Sequence, residues 1–448
     1  MRIKTFLLQS KNVERDSYLW NTMGGLLRGF RSVVFLMILS RTVGLVMAGI
    51  FSIANANSNL FLHMGNYNMR NFQVSDVKKE FSFKEYLTSR FVTIGAMIAI
   101  SVGYALIAGW NNAYTWEKIW ILIWMCLYKV ADALEDVFFG EFQRKGRMDI
   151  GAKIMTVRLL FTMIVFAGLV IFTKDLLLTI ILSTLLTMLA LLVFLWCARS
   201  ELVAEAEERS VIENIAGQDG IQDTAQGSDG VDEGRMQRVA KLLRVCFPVF
   251  VSGFLSFYIS NAAKYAIDGT LSDEYQGWYG FISMPVLVIG MLNGFIFNPT
   301  LYALSKAWSE GEIGKYVKKA GLLLLAIAGI TLGSVGGAYF LGVPVLSLLF
   351  GEDLSRFKWE LLVLLMAAGF TAASDFMAAM ITIMRRQRML LYGYGCTALL
   401  ALLLAKGMVL RFQMMGAALL FTLLEVCLCL FFVVIIIYGL CKHEKIER

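Results

Sequence analysis

The sequence predicts an all-α polytopic membrane protein of about twelve transmembrane helices in two six-helix halves, with both termini cytoplasmic. Three observations predict it. Of 448 residues, 58% are apolar and only 17% charged, against roughly 45–50% and about 25% in soluble domains. Mean hydropathy is +0.66. Apolar runs of about 20 residues, the length that spans a bilayer core, recur from end to end. A soluble multidomain enzyme and a single-anchor protein are both excluded.

The first half, 1–198, holds runs near 18–39, 43–66, 87–108, 117–140, 153–173 and 175–198. The second, 242–448, holds runs near 242–266, 277–303, 319–345, 359–383, 389–409 and 414–440. Between them lies 199–241, whose stretch 201–234 has ten acids and one base. That composition cannot bury a core, so it is expected to be a mobile cytoplasmic linker. Residues 1–17 are polar and charged, without the apolar core of a signal peptide.

The net charge of +7 reflects topology, because Lys and Arg cluster in short loops. No nucleic-acid partner is expected. Loops on the side of the N-terminus carry 28 Lys and Arg, and those opposite carry 6. Without the six in 199–244 the bias is still 22 to 6. The seven cysteines lie in or at the ends of apolar runs with no metal-ligand spacing, so neither disulfides nor a metal are expected. Ala48-Gly49-Ile50-Phe51 and Gly277-Trp278-Tyr279-Gly280 follow the first run of each half. The echo fits two parallel repeats with a substrate path between them; it fits equally the abundance of Gly and aromatics at membrane interfaces.

An ionisable group at mid-span costs roughly 2.5–3.5 kcal/mol on insertion scales, so each demands a reason. Arg28 and Arg31 share one helical face of the first run, too deep to reach water easily. They line a wet cationic cavity or pair with the fourth run, which carries Lys129, Asp132, Glu135 and Asp136. The second run has a polar stripe, Ser52, Asn55, Asn59 and His63. The seventh has Ser252, Ser256, Ser260 and Lys264 at four-residue spacing, a pattern that also serves helix packing. Lys264, near the outer end, and Arg158, near the inner end of the fifth run, are placed to snorkel. Asp375 and Glu425 stand alone among apolar neighbours, as ion carriers or as buried partners of an arginine. All four prolines, Pro248, Pro285, Pro299 and Pro344, fall in the second half, where they kink helices; Pro285 and Asn298-Pro299 are expected to break the eighth run.

The stretch from Tyr18 to Val77, "YLWNTMGGLLRGFRSVVFLMILSRTVGLVMAGIFSIANANSNLFLHMGNYNMRNFQVSDV", resembles the opening of Wzx-type polysaccharide-unit flippases. These belong to the multidrug/oligosaccharidyl-lipid/polysaccharide exporter superfamily. "ALEDVFFGEFQRKGRMDIGAK", "AKYAIDGTLSDEYQGWYGFISMPVLVIGMLNGFIFNP" and "MRRQRM" extend the likeness over nearly the whole chain. The resemblance implies flipping of undecaprenyl-pyrophosphate-linked oligosaccharide units across the bacterial plasma membrane, by alternating access through a cation-lined central cavity, for surface polysaccharide biosynthesis. Membrane lipids and a polysaccharide polymerase machinery are the implied partners.

The residues are compatible with that chemistry. Arginine forks fit phosphate oxygens, so the substrate-binding candidates are Arg28, Arg31, Lys129, Arg158 and Lys264, with Asn55, Asn59 and His63 for sugar hydroxyls. Asp375, Glu425 and Asp132 are candidates for coupling to a sodium or proton gradient. No glycine-rich phosphate loop for ATP is present, and no cofactor is expected. The rival readings are a multidrug exporter of the same superfamily, and a membrane-embedded polysaccharide polymerase or glycosyltransferase. The exporter calls for a cavity dominated by acids. The enzyme calls for large outer loops, and here those loops are short. No catalytic residues are expected.

Overall fold

The computed structural model describes residues 2–76, 80–216, 228–297 and 300–444, in which every regular element is helical. The helices are α1 (Arg2–Leu8), α2 (Val13–Thr42), α3 (Leu45–Asn66), α4 (Met69–Ser75), α5 (Phe83–Asn111), α6 (Trp116–Arg144), α7 (Met148–Thr173) and α8 (Leu176–Ala216). They continue with α9 (Ser228–Asp268), α10 (Asp273–Ile282), α11 (Met284–Phe297), α12 (Leu301–Ser309), α13 (Ile313–Phe350), α14 (Lys358–Ile383) and α15 (Gln387–Glu444).

Among the described residues, ten helical stretches are long and apolar enough to cross a membrane, by length and composition. The chain is a multi-pass membrane protein. α6 is long enough too, but its acids put it outside that composition. α15 is two helices merged across a kink at Gln413, whose φ of 49° and ψ of −125° are not helical.

Most helices outrun the apolar runs that announce them, because polar caps extend them past the hydrocarbon. α5 starts four residues ahead of its run at a capping box: Ser82 accepts from the Glu85 amide, and the Glu85 carboxylate accepts from the Ser82 amide. Thr115 caps α6 in the simpler way. The eighth run is broken: α10 ends at Ile282, and α11 restarts at Met284, one residue before Pro285. The expected break at Asn298-Pro299 lies outside the described residues. Of the expected linker, 217–227 lie outside them as well; α8 runs to Ala216 and α9 begins at Ser228.

The chain packs as two compact units. Unit 1 is Met1–Phe35 with Asn57–Phe250, and unit 2 is Leu36–Ala56 with Val251–Arg448. The division passes through α2, α3 and α9, so part of the expected first half packs with the second. In unit 1, α6 is the spine, flanked by α4, α5, α7 and α8. Leu7 of the short α1 is buried with Phe142, Ile150 and Leu191, which pins the start of the chain to the bundle.

In unit 2, α14 is packed by α11, α13 and α15. Tyr316, Leu323, Ile327, Phe376 and Met380 form its main core. The two glycine-bearing segments of the sequence echo touch here: a Cβ on Gly49 would lie 1.9 Å from the Asp273 carbonyl oxygen, and one on Gly277 would lie 2.9 Å from that of Leu45. Backbones this close require glycine. On the outer side of α13, Leu322, Leu325, Leu332 and Phe340 are all exposed. Contiguous apolar surface of this kind is what lipid covers.

Candidate functional site

Unit 1 carries a charge cluster at membrane depth. On α6, Lys129, Asp132 and Glu135 follow at three-residue intervals and share one face. α2 presents Arg28 and Arg31 to them, and α7 presents Arg158. Gly24 eases this convergence: a Cβ there would lie 2.3 Å from Met155 Cε and 2.7 Å from Thr156 Oγ1, so a larger residue would require these side chains to shift.

The geometry is tight. Arg158 is fully buried; its Nη2 donates to Asp132 Oδ1 at 2.7 Å and its Nε to Glu135 Oε2 at 2.5 Å. Arg31 Nη2 donates to the other oxygen, Asp132 Oδ2, at 2.9 Å. Its guanidinium also lies 5.4 Å from the Tyr128 ring centroid. Lys129 is buried, with Nζ 3.7 Å from Asp132 Oδ2. Arg28 differs from the rest. It reaches Glu135 Oε1 at 3.3 Å, but its side chain is 46% exposed.

A second knot adjoins on α6. Asp136 takes Arg90 Nη2 at 2.8 Å and has Arg70 Nη1 at 3.7 Å. Together six cations, Arg28, Arg31, Arg70, Arg90, Lys129 and Arg158, face three carboxylates. Two like charges 4 Å apart repel by about 4 kcal/mol at an effective dielectric of about 20. Such a surplus favours an anion, and Arg28 is the member of the first cluster with an exposed donor face.

Sequence reasoning foresaw the pairing of the span-one arginines with α6 as one of two readings, and the structure makes these pairs. It corrects the placement of Arg158, which does not snorkel but closes the cluster from within. Each oxygen of Asp132 is held by an arginine.

Asn55, Asn59 and His63 lie half-buried along one face of α3, each with a polar or electrostatic partner. Unit assignment separates them, Asn55 falling in unit 2 and the other two in unit 1. Lys264, in unit 2, is half-buried and has no ion-pair or hydrogen-bond partner among the described residues. Also in unit 2, Glu425 is buried and accepts from Ser374 Oγ at 3.1 Å, while the neighbouring Asp375 is exposed on α14.

Sequence reasoning missed a cavity of about 380 Å³ in unit 1. It lies where the α3–α4 turn meets the end of α6, and is lined by Asn66, Asn68, Asn71, Ser75, Asp136 and Gln143. Three asparagines within six residues were the available signal.

No family model matches this chain, and no curated protein matches it in sequence. Solved structures do match in fold. An inward-facing multidrug resistance MATE family transporter of the MOP superfamily aligns over 94% of this chain and 95% of its own, at 13% identity and a TM-score of 0.61. The lipid II flippase MurJ, in an inward closed conformation, aligns over 94% and 90%, at 11% identity and a TM-score of 0.66. A MOP superfamily transporter from Pyrococcus furiosus, described as having a binding pocket of reverse polarity, aligns over 100% and 99%, at 13% identity and a TM-score of 0.50. At these identities the likeness is one of fold: this chain has the architecture shared by MATE transporters and the flippase MurJ.

Proposed function

We propose that this protein flips a lipid-linked oligosaccharide, carried on undecaprenyl pyrophosphate, across a bacterial plasma membrane for surface polysaccharide biosynthesis. The observation that carries the reading is the cationic surplus in unit 1, with half-exposed Arg28 at its edge. A pyrophosphate supplies the missing negative charge, and a guanidinium binds its oxygens in a fork. Arg31, Arg158 and Lys129 act behind Arg28, holding Glu135 and Asp132 in place and adding to the field. The polyprenyl tail stays in lipid. The bias of Lys and Arg places both termini in the cytoplasm, the side on which the substrate is loaded. Alternating access is the mode of transport we favour. Coupling to a sodium or proton gradient falls to Glu425 and Asp375.

One observation favours a second reading. Unit 2 holds those two carboxylates with no ion-pair partner among the described residues, a setting suited to the organic cations of a multidrug exporter.

Reconstitution separates the two. The purified full chain in proteoliposomes should translocate a fluorescent polyprenyl-pyrophosphate oligosaccharide. Arg28→Ala should slow this about tenfold or more, the loss of one charge-assisted hydrogen-bonding group, with Arg28→Lys intermediate. Unchanged flipping in Arg28→Ala, or transport of organic cations alone, would overturn the proposal.

A further inference from the structure

We infer that the cavity between the α3–α4 turn and the end of α6 is a carbohydrate subsite, taking a neutral hexose or N-acetylhexosamine unit. That the sugar is the head of a lipid-linked substrate rests on the function proposed above; the subsite itself rests on the cavity.

Besides Arg70, Asp136 and Val74, its lining is built of neutral groups that both donate and accept. The amides of Asn66, Asn68, Asn71 and Gln143 and the hydroxyl of Ser75 surround it, and sugar hydroxyls are their complement. The charges in the wall are already satisfied. Asp136 is engaged by Arg90 and Arg70. Arg70 also donates to Gln143 Oε1 at 2.9 Å, and its Cζ lies over the Phe139 ring, 3.9 Å from the centroid. A neutral polyol can meet these amides and the hydroxyl without disturbing the Arg70–Asp136 pair.

The hydrogen bonds already made fix what each amide offers. Asn66 Oδ1 accepts from Arg90, which leaves its Nδ2 to donate. Asn68 Nδ2 donates to the Val249 carbonyl at 3.0 Å, which leaves its Oδ1 to accept. Gln143 has its Oε1 taken and its Nε2 left over. Asn71 is exposed and has no hydrogen-bond partner among the described residues. Free donors and free acceptors therefore both remain in the lining, as sugar hydroxyls require.

The backbone makes a costly effort to present them. Tyr67 and Asn68 are consecutive left-handed residues, with φ of 50° and 49°, a conformation that costs roughly 1–2 kcal/mol for a residue with a Cβ. Tyr67 is held there by its ring stacking on Phe250 at 4.4 Å. Strain of this kind collects at functional sites.

Size and position agree with a single sugar ring. The cavity lies at the small end of the roughly 300–1,000 Å³ range of ligand pockets. Gln143 and Glu135, the partner of Arg28, are on the same helix and about 12 Å apart along its axis at 1.5 Å per residue. One ligand with an anionic end and a sugar end could span both.

The test titrates the full chain in detergent micelles with free hexoses and N-acetylhexosamines, read by saturation-transfer NMR, and separately with inorganic pyrophosphate. At least one sugar should bind saturably. Asn71→Ala should weaken it about fivefold, the loss of one neutral hydrogen bond, and Val74→Trp, which fills the cavity from its own wall, should abolish it. Both variants must elute as the wild type does, and either alone suffices to decide. No binding by any sugar, or unaltered binding in the correctly eluting variants, overturns the subsite. Sugar binding without pyrophosphate binding would retain it and sink the flippase reading; the converse would sink the subsite alone.

Discussion

Arg28 and Arg158 reach the same carboxylate from two helices, yet their surroundings give them different work. Arg158 is fully buried and bridges Glu135 and Asp132; removing it would leave two carboxylates in the bundle with fewer partners. Breaking a buried pair from one side costs about 3–5 kcal/mol. Arg28 makes a longer contact with Glu135 from a half-exposed position, the kind of pair worth about 0–1 kcal/mol, and donates to Met155 Sδ at 2.9 Å. Arg158→Ala should therefore lower the unfolding free energy in mixed micelles by several kcal/mol, whereas Arg28→Ala should scarcely change it while it slows transport. Equal destabilisation by the two would mean that Arg28 is structural too. The sequence put Arg28 and Arg31 on one face, because three-residue spacing fixes it, but left their pairing with the acids of α6 as one of two readings. It misplaced Arg158, because position along a run reports depth but not the direction a side chain takes around the helix axis.

Asp76, just past the end of α4, shows how the start of α5 is fixed. Asp76 Oδ1 accepts from the Glu80 amide at 2.8 Å, and Oδ2 from the Phe81 amide at 3.0 Å and from the Tyr86 hydroxyl at 3.1 Å. Burial pushes the Asp76 carboxyl up, but those two amides and the hydroxyl outweigh it and hold it below the ordinary carboxylate value. A folded-state value below the unfolded one means stability that is present at neutral pH and lost as pH falls through the folded value. In detergent, the gap in thermal midpoint between wild type and Asp76→Asn should thus be widest near neutrality. It should close as pH drops well below about 3.9, the ordinary aspartate value. A gap constant over that range would remove Asp76 as the source. Sequence reasoning missed the capping box at Ser82 and Glu85 as well as the Asp76 hydrogen bonds and the amide-lined cavity. Hydropathy scores neutral amides much as it scores charges, so three asparagines around a short turn read like any polar turn between apolar runs.

At the scale of the whole chain, the fold class was the most legible property, because it follows from the length and number of apolar runs. What those runs could not show was their partners. The segment Leu36–Ala56 packs with unit 2 through backbone contact at Gly49 and Gly277, and glycine contacts of this kind have no signature beyond the residues themselves. Orientation is a separate matter, since the same bundle could be inserted either way and only the loop charges choose. The excess of 28 over 6 Lys and Arg predicts that the turn after α5 faces outward and the turn after α12 inward. Asn112 and Glu310 are exposed in those turns, so single cysteines there report the side directly once the exposed Cys396 and Cys441 are replaced by serine. A membrane-impermeant maleimide applied to right-side-out vesicles should label Asn112→Cys at once and Glu310→Cys only after the membrane is opened. The reverse pattern would place Arg28 and the amide-lined cavity of unit 1 in an inverted chain. Loading from the cytoplasmic leaflet, and with it the proposed direction of transport, would then have to be abandoned.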